Sequence, residues 1–218
     1  MLHAMELKRE RLSRAATATY ECTAAVLAES GSADTCAALC RRLNRIVDDE
    51  TDALKASGAA VACAPGCAYC CHLRVGVFEH EAAAMLHHLR TQLPEDVAAE
   101  IEQRIRANAS RIEKLTVAQH RSAGLACAFL HDGRCAAHEV RPSACAAYHS
   151  LSRERCEHSF RHPHGIGTAR NARPVLLELQ ALGATLIEAT QAGCKSAERS
   201  GEQAELHQAL RALLVREA

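Results

Sequence analysis

Along most of the chain, apolar residues return every three or four positions. Residues 6–29 carry Leu7, Ala15, Ala18, Cys22, Ala25 and Val26 in that rhythm, and residues 33–56 carry Cys36, Leu39, Cys40, Leu43, Ile46 and Val47. This spacing predicts two helices with one buried face each, stopped by Ser57-Gly58. A third helix is expected from Glu79 to Leu93, with Ala82, Met85, Leu86 and Leu89 inward. Pro94 marks a break and suits the first turn of a fourth helix, which runs to Arg121 through Val97, Ile101, Ile105, Ile112 and Leu115 and ends at Gly124. Two closing helices are predicted over 174–192 and 201–216, the last opened by a Ser200/Gln203 capping box. Between these helices the period fails at the cysteine segment near 63–71, and again over 125–170, where Cys, His, Gly and Pro take over.

The expected architecture is mainly all-α: a helical bundle around an irregular, cysteine-rich centre with one short β-hairpin. Three Phe, three Tyr and no Trp in 218 residues favour close-packed helices over a sandwich or barrel. No repeat or linker divides the chain, so a single domain is expected over 1–218, with N-terminal helices in 1–60, a core in 61–160 and C-terminal helices in 170–218. The formal net charge of zero gives no reason to expect a nucleic-acid or membrane partner. No run approaches the ~18 apolar residues of a membrane span, and MLHAMELKRERLSR lacks an uninterrupted apolar stretch. A cytoplasmic location is therefore expected. In a reducing cytosol, twelve cysteines suggest metal ligands before disulfides.

Residues 63–71 read CAPGCAYCC, with Cys63, Cys67, Cys70 and Cys71 spaced like one helix face. Pro65 forbids a continuous helix, so a loop is expected to carry Cys63 into a helix starting near Pro65-Gly66. Cys67, Cys70 and Cys71 would then share its opening turns, where the helix dipole favours thiolate. Downstream, Cys127 and Cys135 flank His131-Asp132-Gly133, a turn signal that predicts a hairpin bringing the two sulfurs together. Arg141-Pro142 precedes Cys145, which is expected in another opening helical turn, and Cys156 follows beside Arg153 and Arg155. Eight thiolates need a bound cation and nearby Arg to be buried together. Arg74, Arg141, Arg153 and Arg155 are the available arginines, and Arg141, fixed between hairpin and helix, is the one singled out as other than a solvated surface residue.

The three motifs C-x3-C-x2-C-C (63–71), C-x-F-L-x-D-G-x-C (127–135) and R-P-x-x-C (141–145) together resemble the YkgJ-type cysteine-cluster family, over residues 63 to about 156. That family is described as zinc- or iron-chelating and was often labelled an Fe–S oxidoreductase. The resemblance implies metal binding, and its acidic residue opening the next helix corresponds to Glu81 or Glu79. One departure is Ala146, where similar sequences carry Arg. A related cysteine cluster in flagellin lysine N-methylases is associated with an iron–sulfur cluster and methyl transfer.

Thiolate sites suit zinc and iron–sulfur clusters about equally. The C-x3-C-x2-C spacing is also that of radical S-adenosylmethionine enzymes, but the alternating strands of their barrel are missing from this pattern. The expected metal ligands are Cys63, Cys67, Cys70, Cys71, Cys127, Cys135, Cys145 and Cys156, holding zinc or iron, with an iron-containing site modestly favoured. A chelating, delivery or sensing protein is the first functional reading; an iron–sulfur redox or group-transfer enzyme is the alternative. Cys36 and Cys40 are read as core packing, and Cys22 and Cys194 as buried. His149, four residues after Cys145, is a candidate extra ligand. His158, His162 and His164 are read as a solvated loop, His72, His87 and His88 as helix-surface or packing residues, and Gly165-Ile166-Gly167 as a loop without the strand and third glycine of a dinucleotide turn.

Overall fold

The computed structural model describes residues 2–165 and 173–216. In chain order its regular elements are α1 (Leu2–Glu29), α2 (Ala33–Ala56), β1 (Gly76–Val77), α3 (Glu79–Gln92), α4 (Glu95–Ile112), α5 (Val117–Ser122), β2 (Leu130–His131), β3 (Arg134–Cys135), α6 (Ser143–Ala146), α7 (Arg153–Arg161), α8 (Leu177–Ser196), β4 (Ala204–Glu205) and α9 (Leu206–Arg216). The fold is mainly all-α, and its two sheets are short antiparallel pairs, β1–β4 and β2–β3. No helix among the described residues is long and apolar enough to cross a membrane. Ile166 and Gly167 lie outside the described residues.

The long helices follow the apolar rhythm closely. Helix α2 opens on Ser32, whose hydroxyl accepts the Thr35 N–H at 3.3 Å, and it buries Cys36, Leu39, Cys40, Leu43 and Val47. It packs on α3, while α1 lies along α8, and α4 lies against α9. The hairpin is as the Asp132-Gly133 pair predicts. Both residues have positive φ, 47° and 72°, and Leu130 pairs with Cys135 across a two-residue turn.

Two boundaries differ from the periodic reading. The fourth helix stops at Ile112, and α5 restarts under its own capping box: Thr116 accepts the Gln119 N–H at 3.2 Å, and Gln119 accepts the Thr116 N–H at 2.8 Å. Residues 201–205 are not helical. Ser200 accepts the N–H of Glu202 instead of capping a helix at Gln203, and Ala204–Glu205 pairs with Gly76–Val77 before α9 begins. The sheet contact gains backbone partners for the segment following the cysteines, so tertiary pairing wins over a local cap.

The α1–α8 crossing depends on a glycine. A Cβ placed on Gly193 would lie 2.9 Å from the Tyr20 carbonyl oxygen and 2.8 Å from Thr23 Cβ, both on the facing helix. On an exposed helix Gly→Ala would stabilise by up to about 1 kcal/mol, but here the backbone oxygen cannot yield. Gly193→Ala is expected to cost about 1–3 kcal/mol by overpacking, read as a lower urea midpoint with unchanged m-value; a stabilised variant would show that the helices are not this closely seated.

Candidate metal centre

Between α2 and α3 the chain has no partner helix to join, and its course is set by turns. Ala64 accepts the Cys67 N–H at 2.9 Å across Pro65-Gly66, and Gly66 has φ +84°. Proline followed by a positive-φ glycine inside such a bond is the arrangement of a type II turn. The helix expected to start at Pro65-Gly66 is therefore absent, because a residue at φ +84° cannot begin one. Cys70 and Cys71 lie instead in a short 3-10 turn, Tyr69–His72, packed by Tyr69 and His72 on Phe160 of α7. Helix-dipole activation of three thiols on one face is likewise not found.

The turn brings the Cys70 and Cys71 thiols into hydrogen-bond contact with each other and near thiols from both halves of the segment. The thiols of Cys67, Cys70 and Cys156 are near enough to act on Cys63, whereas Cys70, Cys127 and Cys135 act on Cys71. Cys145 is influenced by Cys127, Cys135 and Cys70. Cys70 is the thiol that acts on Cys63, Cys71, Cys135 and Cys145 alike. The first cysteine segment and the hairpin are tied through the backbone, since Cys71 accepts the Cys127 N–H at 2.7 Å. Ser150 donates its N–H to Cys63 Sγ at 3.3 Å, while its own carbonyl accepts from Ala62.

Burial governs the thiols. It raises Cys63 and Cys135, pushes Cys127 up to about 12, and lifts Cys145 well above the ordinary range, although backbone N–H groups oppose it at Cys63, Cys127 and Cys135. The exception is Cys70. A hydrogen bond from the Cys71 thiol, opposed by burial and aided by Arg173, brings it down to about 7, and Cys71 is raised correspondingly. Sulfurs gathered in a half-buried site with N–H donors aimed at them are suited to hold a cation that displaces their protons. Among the described residues, no three Cys, His, Asp or Glu side chains already close on one point as a metal site.

Three anchoring groups surround the cysteines. Glu81, 2 % exposed, accepts the Phe78 N–H at 3.0 Å and the Ser143 N–H at 2.8 Å, joining the start of α3 to the start of α6. Arg141 is buried, as its position between hairpin and helix suggests: it pairs with Asp48, donates to the His138 carbonyl, and acts on Cys135. His207 clamps the hairpin loop. Its Nε2 accepts the Ala128 N–H at 3.2 Å, its Nδ1 donates to Glu205 at 3.0 Å, and Asn108 reaches both His207 and the Ala126 carbonyl.

His149 and His158 lie elsewhere than expected, whereas His88, Arg74 and Arg153 do not. His149 follows the end of α6, and the charges acting on it are Arg141, Lys55 and Asp48 rather than the cysteines. His158 belongs to α7 and stacks on His162 at 4.4 Å, so that stretch is only partly a loop. His88 is buried against the Ala136 carbonyl. Arg74 and Arg153 are exposed. Arg173 is the residue that spacing did not reveal. It acts on Cys70 and bonds to Tyr148, while its Nε and Nη1 are buried without hydrogen-bond partners. It stands next to Pro174, far in sequence from the cysteines, and no local pattern marks it.

Residues 62–163 match the model of the CxxCxxCC family, described as a putative zinc- or iron-chelating domain. The segment is similar to that family, and it spans 102 of the 218 residues. The matched stretch contains all eight cysteines and ends just after α7. Searches of curated proteins and of solved structures return no match. Of the two acidic residues opening α3, Glu81 is buried between the starts of α3 and α6, whereas Glu79 is exposed and pairs with Arg216. Ala146 is packed at 1 % exposure beside Val47 and Leu179. Glu205 and His207 lie outside the matched segment, so the clamp on Cys127 comes from the C-terminal helix.

That clamp has a pH signature. Burial by itself would raise the Glu205 carboxyl, but the His207 hydrogen bond and charge outweigh it and hold it below its ordinary 4.5. A depressed carboxyl contributes stability above its unfolded value and loses it as pH falls through the folded one. Glu205→Gln is expected to cost about 1–3 kcal/mol at pH 7, with the gap from the unmodified protein closing as pH drops below 4.5. Urea unfolding at a series of pH values under reducing conditions checks this; a gap independent of pH would sink it.

Proposed function

We propose that the protein binds zinc or iron through two four-thiolate sets, Cys63/Cys67/Cys70/Cys156 and Cys71/Cys127/Cys135/Cys145, and serves as a metal-chelating protein whose centre is ordered by the metal. The observation that carries this reading is which thiols act on which: Cys67, Cys70 and Cys156 on Cys63, and Cys127, Cys135 and Cys70 on Cys145, which supports a division of the eight into fours. Four thiolates are the full complement of a closed structural site. A divalent ion in such a site leaves two negative charges, and each set has an arginine acting on it: Arg173 on Cys70 and Arg141 on Cys135. The metal would supply charge neutralisation and cross-linking of turns that have few backbone contacts of their own. The chain is read as one folding unit, because the principal core joins residues from α2, α3, α4, the hairpin loop, α8 and α9.

A small cleft of about 80 Å³ bordered by Arg74, His120, Glu205 and Gln208 contains none of the cysteines. The binding role is preferred to redox or group-transfer chemistry because the matched family is described as zinc- or iron-chelating. In a cytoplasmic setting the bound ion would be held, delivered or sensed.

Metal binding of this kind contributes on the order of 10 kcal/mol or more, comparable with the whole stability of a domain. Anaerobic purification, followed by assay of metal, acid-labile sulfide and visible absorption, tests the reading. Cys63→Ser and Cys135→Ser are each expected to lose about one equivalent of metal relative to the unmodified chain, and the double variant to lose solubility as well. A soluble, fully loaded double variant overturns it, and stoichiometric iron with sulfide replaces two separate sites by a cluster and reopens the enzymatic alternative.

A further inference from the structure

Three further cysteines and a histidine are buried inside the helical frame, and the sites above use none of them. Cys36 and Cys40 are one turn apart on the buried face of α2, so their side chains point the same way. Cys194 reaches them from α8, and His80 from the first turn of α3. All four are at most 5 % exposed. Cys36 acts electrostatically on both Cys40 and Cys194, and Cys194 Sγ stands 3.9 Å from His80 Nδ1.

His80 is the anomaly. Its ring lies in the core, stacked on Phe78 at 5.7 Å, its Nε2 has no hydrogen-bond partner, and its other nitrogen meets only the Cys194 sulfur. Buried polar side chains are nearly always satisfied, and an imidazole whose one partner is a thiol 3.9 Å from its Nδ1 calls for a reason. A phenylalanine or leucine would fill the same space without that penalty. An imidazole facing a thiol, with two more thiols beside it, has the donor types of a Cys3His zinc site.

We propose that Cys36, Cys40, Cys194 and His80 form a separate closed site for Zn²⁺ within the α2–α3–α8 frame. With Zn–S near 2.3 Å and Zn–N near 2.0 Å in a tetrahedron, sulfur and nitrogen stand about 3.5 Å apart. The 3.9 Å between Cys194 and His80 is therefore already close to the separation a shared ion imposes. The two α2 thiols do not converge on that point as they stand. Cys36 donates to the Gly31 carbonyl at 3.5 Å, and it would exchange that weak bond for the metal by rotation about χ1. Three thiolates and one divalent ion carry a single negative charge; Arg199 acts on Cys36 and Arg41 on Cys40, against Glu79 on Cys36 and Glu81 on Cys40 and Cys194. The site fixes three helices to one another and uses none of the eight cysteines of the chelating centre.

The test uses the full chain, stripped of metal under reducing conditions and reloaded with Zn²⁺ or with Co²⁺ as its coloured substitute. Cys36→Ala/Cys194→Ala, which keeps apolar side chains in the core, is expected to bind about one equivalent less than the unmodified chain and to lose the Co²⁺ absorption component of a three-sulfur, one-nitrogen shell. Cys135→Ser, aimed at the other centre, is expected to retain that component. Unchanged stoichiometry in a folded double variant overturns the proposal. X-ray absorption at the zinc edge of the unmodified chain gives an answer without mutagenesis: an imidazole contribution beside sulfur supports the site, and an all-sulfur shell refutes it. Failure of the chelating centre would appear separately, as loss of the metal that Cys63 and Cys135 hold.

Discussion

Glu81 holds the arrangement together. Its two carboxylate oxygens accept backbone N–H groups from Phe78 and Ser143, so one buried side chain caps α3 and also fixes the entrance to α6, sixty-two residues later in the chain. Burial raises its carboxyl, and the hydrogen bonds oppose that rise. Removing it would leave two buried donors unpaired, and each such loss costs about 1–3 kcal/mol. The consequence reaches the cysteines because α3 follows the first cluster directly and α6 carries Cys145. A carboxylate that accepts from both helix starts determines how far apart the two thiol-bearing segments can be.

Given that brace, the irregularity of the centre has a physical account. Backbone groups in turns must find partners outside a helix or sheet, and here they do so across the two halves: Cys127 to Cys71, Ala62 to Ser150, and Ala128 to His207. Each of these bonds is made at or next to a cysteine. The same bonds that satisfy the loops therefore place the sulfurs, and loop geometry and ligand geometry are one constraint. Thiols placed this way are mostly held in their neutral form by burial, and Cys70, which accepts from Cys71, is the one already near ionisation at neutral pH.

The helices were legible because their apolar faces repeat over several turns, and the hairpin because Asp-Gly permits positive φ at both turn positions. The matched segment was legible from its cysteines, since nothing else in the chain packs thiols so densely. What failed was local proline grammar at Pro65. Proline serves helix starts and type II turns equally well, and Gly66 decides the matter only if its φ is known. Ser200 and Gln203 misled in a similar way, for the sequence of a capping box is present but the backbone is claimed by β1. Arg173 and His207 had no signal in spacing, since Cys70 is 103 residues from the first and Ala128 is 79 from the second, and both are met only through packing.

The frame and the centre are linked more closely than the family match suggests. The matched segment stops after α7, yet the clamp on Cys127 comes from α9, and the arginine beside Cys70 comes from just before α8. An isolated segment 62–163 would retain its thiols but lose the acceptor for Ala128 and the cation beside Cys70. The flanking helices therefore act on the cysteines directly. Their contribution is to hold thiol-bearing turns at fixed positions before any ion arrives, which lowers the entropy that binding must otherwise remove.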